Sequence, residues 1–287
     1  MTHYPVMLEE ALEYLAVRPD GTYLDCTAGL GGHTLAIARR LERGVVIASD
    51  RDAESLELAR RNTEESAGKI RFHHGDFSTL RAALQENGID RVDGLLADLG
   101  VSRYQLTAGE RGFSISTDGP LDMRMDQSQA LTAAEIVNHS AEKALADLIY
   151  QFGEERRARK LARAIVRARP IRSTLHLAGV VERAAPRTGR LHPATKTFMA
   201  LRLAVNDEMG QLDRFFKTAP ALVGSNGRMV VISFMSLEDR KAKEAFRELQ
   251  RGGRARILTK HPIRPGEQEI AANPPSRSAK LRAVEMN

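Results

Sequence analysis

Three aspartates stand at the ends of short apolar runs, where their carboxylates could hold a ligand. Asp25, Asp50 and Asp98 each close, or lie beside the close of, a segment that reads as a buried β-strand. Since the carboxyl ends of parallel strands meet at one edge of an open α/β sheet, we expect the three carboxylates to face one site. Carboxylates accept hydrogen bonds from ribose hydroxyls and pair with cationic amines, so these residues predict a site for a positively charged nucleoside.

The glycine-rich loop after the first run sharpens this prediction. It reads DCTAGLGGHT from Asp25 to Thr34, and its glycines let backbone approach a ligand closely. An acidic residue at the head of such a loop is typical of methyltransferases, because the amino group of S-adenosylmethionine is cationic. The loop lacks the spacing of dinucleotide-binding proteins, which disfavours NAD. We therefore expect this loop, with Asp25, to bind S-adenosylmethionine.

The next two strand ends carry residues suited to the nucleoside half of that cofactor. Asp50 stands where a carboxylate can accept both ribose hydroxyls. Asp76 could accept a hydrogen bond from the adenine amine, and Phe77 could pack on the ring. Taken singly, a strand-end aspartate is often a helix cap and a phenylalanine is more often core. Three successive strand ends of the right type favour the cofactor site.

Asp98, in the segment DLGVS, is the candidate catalytic residue. The lone pair of a cytosine-like amine is delocalised into its ring, so an acceptor for the amine hydrogens favours the pyramidal, nucleophilic transition state. The displacement otherwise needs alignment more than a covalent enzyme intermediate. The alternative is that Asp98 only contacts the cofactor or caps a turn. Both roles could coexist.

The elements that must position these residues alternate as strands and helices. Parallel strands are predicted at 22–26, 45–50, 70–73 and 92–98, helices between them at 33–41, 53–66 and 80–87, and further strands at 228–234, 256–259 and 281–285. From about 104 to 206 only helical patterns occur, at 133–152, 154–168 and 175–184. The prediction is an α/β fold, a Rossmann-like class I methyltransferase with a mainly parallel sheet and an inserted all-helical domain.

The expected domain boundaries follow from that alternation. Residues 1–104 and 207–287 form a discontinuous methyltransferase domain, and residues 105–206 form the inserted helical domain that recognises substrate. With 43 Lys and Arg against 37 Asp and Glu, the formal charge is +6, which suits a polyanionic partner. Cys26 is the single cysteine, so disulfides and multi-thiolate zinc sites are excluded and no metal is expected. Without a long apolar run, we expect a soluble, cytoplasmic protein with no membrane contact.

Ordered motif blocks identify a family resemblance over the whole chain. The chain resembles the bacterial 16S rRNA cytosine-N4 methyltransferase family, RsmH or MraW. The blocks are HYPV from His3, DCTAGLGGHT from Asp25, DLGVS from Asp98, ERGFS from Glu110, DGPLDMRMD from Asp118, HPATKTFMALRLAVNDE from His192, SLEDR from Ser236 and SRSAKLR from Ser276.

The resemblance implies methyl transfer from S-adenosyl-L-methionine to N4 of a decoding-centre cytidine. It implies 16S rRNA within the small ribosomal subunit as partner, and a homodimer is left open. Position by position, the implied cofactor contacts are Gly31, Gly32, His33, Asp50, Phe77, Asp98 and Gln105. Asp25 is added as a secondary contact from the loop argument.

Four positions depart from the family pattern. Arg103 replaces a usual serine, Thr107 a usual acid, Met235 the histidine before SLEDR, and Pro275 an arginine. None is an implied cofactor residue. Methionine cannot move protons, so a normally active enzyme would show that the replaced histidine is not an indispensable base.

Basic residues in the later blocks are the candidate RNA contacts. They are Lys196, Arg202, Arg277, Lys280 and Arg282, with Phe113 as a possible platform for base stacking although core is its commoner fate. A denser run from Arg156 to Arg172 is equally consistent with a solvated helix face.

Two other functions stay open. One is a methyltransferase for DNA or a small molecule, although no proline-rich amine-methylation motif follows Asp98. The other is a catalytically silent RNA-binding assembly factor that keeps the cofactor for structure, as the four departures would allow.

Overall fold

The computed structural model describes residues 5–185 and 192–287, so His3 and Tyr4 of the first motif block lie outside it. The chain divides into two units, Met1–Gly100 with Met209–Asn287, and Val101–Glu208. Within the described ranges, no helix is long and apolar enough to cross a membrane.

A seven-stranded sheet organises the first unit. The strands are β1 (Thr22–Asp25), β2 (Val45–Asp50), β3 (Ile70–His74), β4 (Val92–Asp98), β5 (Val223–Ser233), β6 (Ala255–Ile257) and β7 (Lys280–Met286). Their order is β3-β2-β1-β4-β5-β7-β6, with β7 antiparallel to both neighbours and the other pairs parallel. The predicted fold class, with a mainly parallel sheet of Rossmann-like order, is confirmed.

Helices surround the sheet and also fill the long connection between β4 and β5. They are α1 (Leu8–Leu15), α2 (Gly32–Arg40), α3 (Ala53–Asn62), α4 (Leu80–Glu86), α5 (Arg103–Thr107), α6 (Ala133–His139), α7 (Glu142–Gly153), α8 (Ala158–Arg167), α9 (Thr174–Ala184), α10 (Thr195–Val205), α11 (Glu208–Thr218), α12 (Ser236–Arg251) and α13 (Glu267–Ala272).

Both faces of the sheet are buried, which explains why its strands are continuous apolar runs. Alternate residues of β4 point to opposite faces, so Leu95 joins one apolar cluster with Phe215 and Phe246, and Leu96 joins the other with Tyr23. All four of these neighbours are nearly inaccessible to solvent. The rigid sheet fixes the strand ends on which the candidate site is built.

The second unit has a separate apolar core. Ile149, Leu161 and Leu201 are completely buried in it, one from each of α7, α8 and α10. The helix predicted at 133–152 is interrupted at Ser140, whose extended backbone separates α6 from α7. The helix predicted at 154–168 starts later, because Glu154 takes a left-handed conformation (φ 47°) and ends α7.

A neighbouring pair in α7 tests this packing. Ile149→Ala should lower the free energy of unfolding by about 2–5 kcal/mol, because it removes buried methyl groups from a site with 0% exposure. Tyr150→Ala changes a side chain with 64% exposure and should stay within about 0.5 kcal/mol. Urea unfolding followed by circular dichroism compares them. Equal effects of the two substitutions would contradict the packing described for α7.

Candidate active site

The glycine-rich loop joins β1 to α2 and requires glycine at its last position. Gly31 has φ 86°, a left-handed conformation that favours glycine. A Cβ there would lie 2.7 Å from Thr63 Cγ2, closer than packing allows. Gly32 then begins α2. The loop backbone therefore passes the sheet edge with no side chain at Gly31 and Gly32.

Asp25 is buried inside this loop. Its Oδ1 accepts a hydrogen bond from Thr27 N at 3.1 Å and its Oδ2 accepts one from Thr34 Oγ1 at 2.6 Å. Burial raises the pKa of Asp25 to about 6, and the nearby charge of Asp50 adds to the rise. With 0% exposure and both oxygens holding the loop, Asp25 is a loop-organising residue, and the expected direct contact with the cofactor amine is corrected on that ground.

Asp50 ends β2 and holds the loop from the other side. Its Oδ2 accepts from Gly29 N at 2.7 Å and its Oδ1 from Asp52 N at 2.9 Å. Burial is the main cause that raises its pKa to about 6. Each oxygen keeps a further lone-pair direction, so the oriented carboxylate can accept two more hydrogen bonds.

Asp98 ends β4 beside the same loop. Its backbone N donates to Thr27 Oγ1 at 2.6 Å, which ties the end of β4 to the segment after β1. The Asp98 side chain has 23% exposure, yet its Oδ1 is buried and has no hydrogen-bond partner in the described parts of the chain. A buried carboxylate oxygen without a partner is costly, which points to a ligand donor at this atom.

The surroundings of Asp98 make its ionisation unfavourable. Burial raises its pKa well above the ordinary range, and the charges of Asp25, Glu238 and Glu269 raise it further. A cation near this group would lower the pKa again, because opposite charge favours the ionised form. The site is therefore electrostatically suited to a positively charged ligand.

The two glutamates are fixed by backbone donors. Glu238 has 1% exposure and its Oε2 accepts from Phe234 N at 2.9 Å and Met235 N at 3.0 Å. Glu269 Oε1 accepts from Met7 N at 2.7 Å. Sequence reasoning missed both residues, although the SLEDR block contains Glu238. Their carboxylates are structural parts of the acidic surroundings of Asp98.

His33 lies between the N-terminal segment and Asp98. Its Nε2 is 3.0 Å from Val6 O, which is hydrogen-bond distance, and its Nδ1 is 3.7 Å from Asp98 Oδ2. The imidazole has 5% exposure. The Val6 carbonyl thus orients the ring so that its other nitrogen faces the candidate catalytic carboxylate.

Phe77 and Asp76 follow β3 and are held by α11. The Phe77 ring is half-buried and its centroid is 4.7 Å from that of Phe215. Asp76 Oδ1 accepts from Ser78 N at 2.8 Å and its Oδ2 from Gln211 Nε2 at 2.6 Å. Phe77 therefore has a rigid aromatic support, and both oxygens of Asp76 are already engaged within the chain.

Gln211 is a site residue that sequence reasoning missed. Its Nε2 bonds Asp76 across 135 positions of sequence, and its Oε1 is buried without a hydrogen-bond partner among residues 5–185 and 192–287. It belongs to no motif block, so no sequence signal could have found it. Its free acceptor lies on the carboxamide group that bonds Asp76.

Gln105 lies in the second unit, in the short helix α5. It forms a reciprocal cap with Ser102, in which Ser102 N donates to Gln105 Oε1 at 2.9 Å and Gln105 N donates to Ser102 Oγ at 3.2 Å. The residue has 5% exposure. Its local role in the structure is to begin α5.

Three of the expected RNA contacts are internal. Phe113 has 6% exposure and belongs to the core of the second unit, so it cannot serve as a stacking platform. Arg202 Nε donates to Glu208 at 2.8 Å and Arg282 Nε donates to Asp239 at 2.7 Å, with both pairs largely shielded from solvent. These arginines stabilise the fold and are corrected as phosphate contacts.

The remaining basic candidates differ in accessibility. Lys196 is 42% exposed, donates to Glu154 O at 2.9 Å and lies within ion-pair reach of a second acid. Lys280 is 18% exposed and lies 3.4 Å from Asp239. Arg277 is exposed and has no hydrogen-bond or ion-pair partner in the described residues. Arg277 and Lys196 are thus the accessible members of the set.

No group of three or more His, Cys, Asp or Glu side chains in the described ranges is arranged to hold a metal ion. Cys26 is buried as a free thiol, and burial raises its pKa.

Comparison with known proteins places this geometry in a family. A family model described as the MraW methylase family matches residues 1–287. Ribosomal RNA small subunit methyltransferase H of Solibacter usitatus (strain Ellin6076) is 66% identical over 284 residues, 99% of each chain. The protein of the same name from Acidobacterium capsulatum is 51% identical over 293 residues, covering 99% of this chain and 98% of its own.

Among solved structures, TrmN from Thermus thermophilus is similar over 98% of this chain and 48% of its own, with 15% identity and a TM-score of 0.46. The family model and the two full-length relatives establish the assignment. This chain belongs to the MraW methylase family.

Proposed function

We propose that the protein transfers a methyl group from S-adenosyl-L-methionine to N4 of a decoding-centre cytidine in 16S rRNA of the small ribosomal subunit. The full-length relatives, named ribosomal RNA small subunit methyltransferase H, support the substrate class. The observation that carries the proposal is Asp98 Oδ1, a buried carboxylate oxygen without a partner in the described chain, at a strand end surrounded by other acids. An rRNA substrate in bacteria implies a cytoplasmic protein.

The residues around the loop fit this cofactor. Asp50 has two oriented oxygens for the ribose hydroxyls, and Phe77 offers a supported aromatic ring to the adenine. Gly31 and Gly32 expose backbone to the ligand, and His33 lies beside Asp98. When bound, S-adenosylmethionine supplies an electrophilic methyl group on a sulfonium. The acidic surroundings of Asp98 match that positive charge.

Other residues hold this set in place. Asp25 fixes the loop, and Gln211, with its unpartnered Oε1, is better placed than the engaged Asp76 to accept a hydrogen bond from the adenine amine. Gln105 stays a proposed contact on family resemblance alone.

Asp98 is assigned the central role in methyl transfer. Its Oδ1 accepts a hydrogen bond from the N4 amine, which orients the amine and favours the pyramidal geometry that frees the nitrogen lone pair. Its raised pKa makes the ionised carboxylate a stronger base, able to take the proton that the amine loses after methylation. The cytidine must be unstacked from its neighbours to reach a carboxylate at a strand end. Arg277 and Lys196 are proposed phosphate contacts.

Asp98→Asn tests the assignment of the catalytic residue. We expect about a 100- to 1,000-fold fall in the rate of labelled-methyl transfer to purified small subunits lacking this modification, because the amide is a weaker acceptor and cannot take a proton. The matched control is Asp90→Asn, which changes a carboxylate on the loop before the same strand with 91% side-chain exposure. Nucleoside analysis of the rRNA shows where the label resides.

An Asp98→Asn protein that methylates subunits as fast as Asp90→Asn would overturn the catalytic role, and one that complements a deletion strain fully would favour the assembly-factor alternative. Label found on duplex DNA, or on an rRNA atom other than cytidine N4, would contradict the substrate assignment.

Cofactor affinity should depend on pH through Asp50. Its pKa of about 6 leaves the carboxylate mostly protonated at pH 5, and a protonated group cannot accept from both ribose hydroxyls. Affinity for S-adenosylmethionine should therefore rise about tenfold from pH 5 to pH 7.5, as the group ionises. Calorimetric titration across this range measures it.

Asp50→Asn should bind more weakly at pH 7.5 and show a flatter pH profile, whereas Asp90→Asn should keep the parent profile. Equal affinity of the parent protein at pH 5 and pH 7.5 would contradict the role of Asp50.

A further inference from the structure

The basic run that the sequence leaves ambiguous divides into internal and external residues. Arg157 Nε donates to Glu155 at 3.2 Å, and Arg169 donates to Val137 O and Ser140 O at 2.7 and 2.6 Å. Those two arginines are used to build the second unit. The remaining cations of the run are exposed: Arg156, Arg159, Lys160, Arg163, Arg167 and Arg172.

Four of the exposed cations form one face of α8. Arg159, Lys160, Arg163 and Arg167 fall within an arc of about 100° at 100° per residue. The opposite side carries the residues that pack into the core: Ala158, Leu161, Ala162 and Ile165. We call these four cations the α8 basic face. It extends about 12 Å along the helix, given 1.5 Å per residue.

The α8 basic face lacks the acidic partners that accompany other helical cations of this protein. Arg61 pairs with Glu57 on α3 and Lys143 with Asp147 on α7, both one helical turn apart. On the α8 basic face only Arg163 has an ion pair among the described residues, with Glu142 at 3.4 Å. The sequence contains no acid between positions 155 and 182.

This arrangement is unfavourable for the helix itself. Arg159, Arg163 and Arg167 are spaced four residues apart, so like charges repel along the face. Arg159 and Lys160 lie in the first turn, which has no acid, although the helix dipole favours negative charge there. Helix stability therefore does not explain this face, whereas binding of a polyanion would.

We infer that the α8 basic face is a phosphate-binding surface for the rRNA substrate. This inference rests on the proposed function, which supplies the polyanion. Guanidinium groups bind phosphate through two hydrogen bonds, and a row of them follows a nucleic-acid backbone without reading its sequence. The face thus contributes affinity and orientation, and Asp98 contributes chemistry.

The test compares two triple variants with equal formal charge. R159Q/K160Q/R167Q removes three cations of the α8 basic face, and R247Q/R251Q/R254Q removes three exposed arginines at the end of α12 and just beyond it. Each variant lowers the formal charge of +6 by three. Filter binding of labelled 16S rRNA and methyl transfer to small subunits are measured over a salt series.

We expect the α8 variant to bind rRNA about 10- to 100-fold more weakly than the α12 variant, with a KM raised in proportion and kcat retained at saturating substrate. Its slope of log affinity against log salt should fall in magnitude by about 2 to 3, since each phosphate contact contributes about 0.7 to 0.9. Affinity for S-adenosylmethionine should equal that of the control. The charge-preserving variant R159K/R167K should keep the parent slope.

Equal rRNA affinity and equal salt slopes for the two triple variants would overturn the inference. So would competition by polyglutamate or anionic vesicles as effective as that of single-stranded RNA at the same charge concentration, because the face would then serve an acidic protein or a membrane. Failure of the proposed function looks different: the parent protein would transfer no methyl group to subunits, whatever the two variants bind.

Discussion

The electrostatic state of the Asp98 carboxyl is the constraint on which the site depends. Burial and the charges of Asp25, Glu238 and Glu269 all oppose its ionisation. A carboxyl in that state is a poor acceptor until positive charge arrives. A sulfonium donor supplies this charge, so binding of the donor and activation of Asp98 become one coupled event. The enzyme is thereby protected from presenting an active base before its methyl donor is bound.

The parallel sheet makes this arrangement possible. Strand ends meet at one edge, and hydrogen bonds from Thr27 Oγ1 and Gly29 N join the glycine-rich loop to Asp98 and Asp50. The buried apolar clusters on both faces keep the strands from shifting, so carboxylates whose mutual repulsion would push a flexible site apart stay close together. Packing energy spread over the sheet thus offsets a local electrostatic cost at its edge.

Much of this architecture could be predicted from the sequence, because buried parallel strands leave apolar runs and their ends carry the ligand-binding residues. The break at Ser140 could not, since helical periodicity continues through it. Neither could the internal use of Asp25, which depends on burial, nor Gln211, which the fold brings to Asp76 from 135 residues away. In the basic run, only tertiary contacts separate Arg157 and Arg169 from the cations that face solvent.

The most direct measurement of the coupling is the titration of the Asp98 carboxyl by ¹³C NMR, with and without S-adenosylmethionine, its signal assigned by its loss in the Asp98→Asn protein. Without the donor, we expect a pKa well above that of an ordinary aspartate, and with the donor a clear fall. An ordinary pKa in the free protein, or a raised one that the donor leaves unchanged, would contradict the coupling between cofactor charge and the catalytic carboxylate.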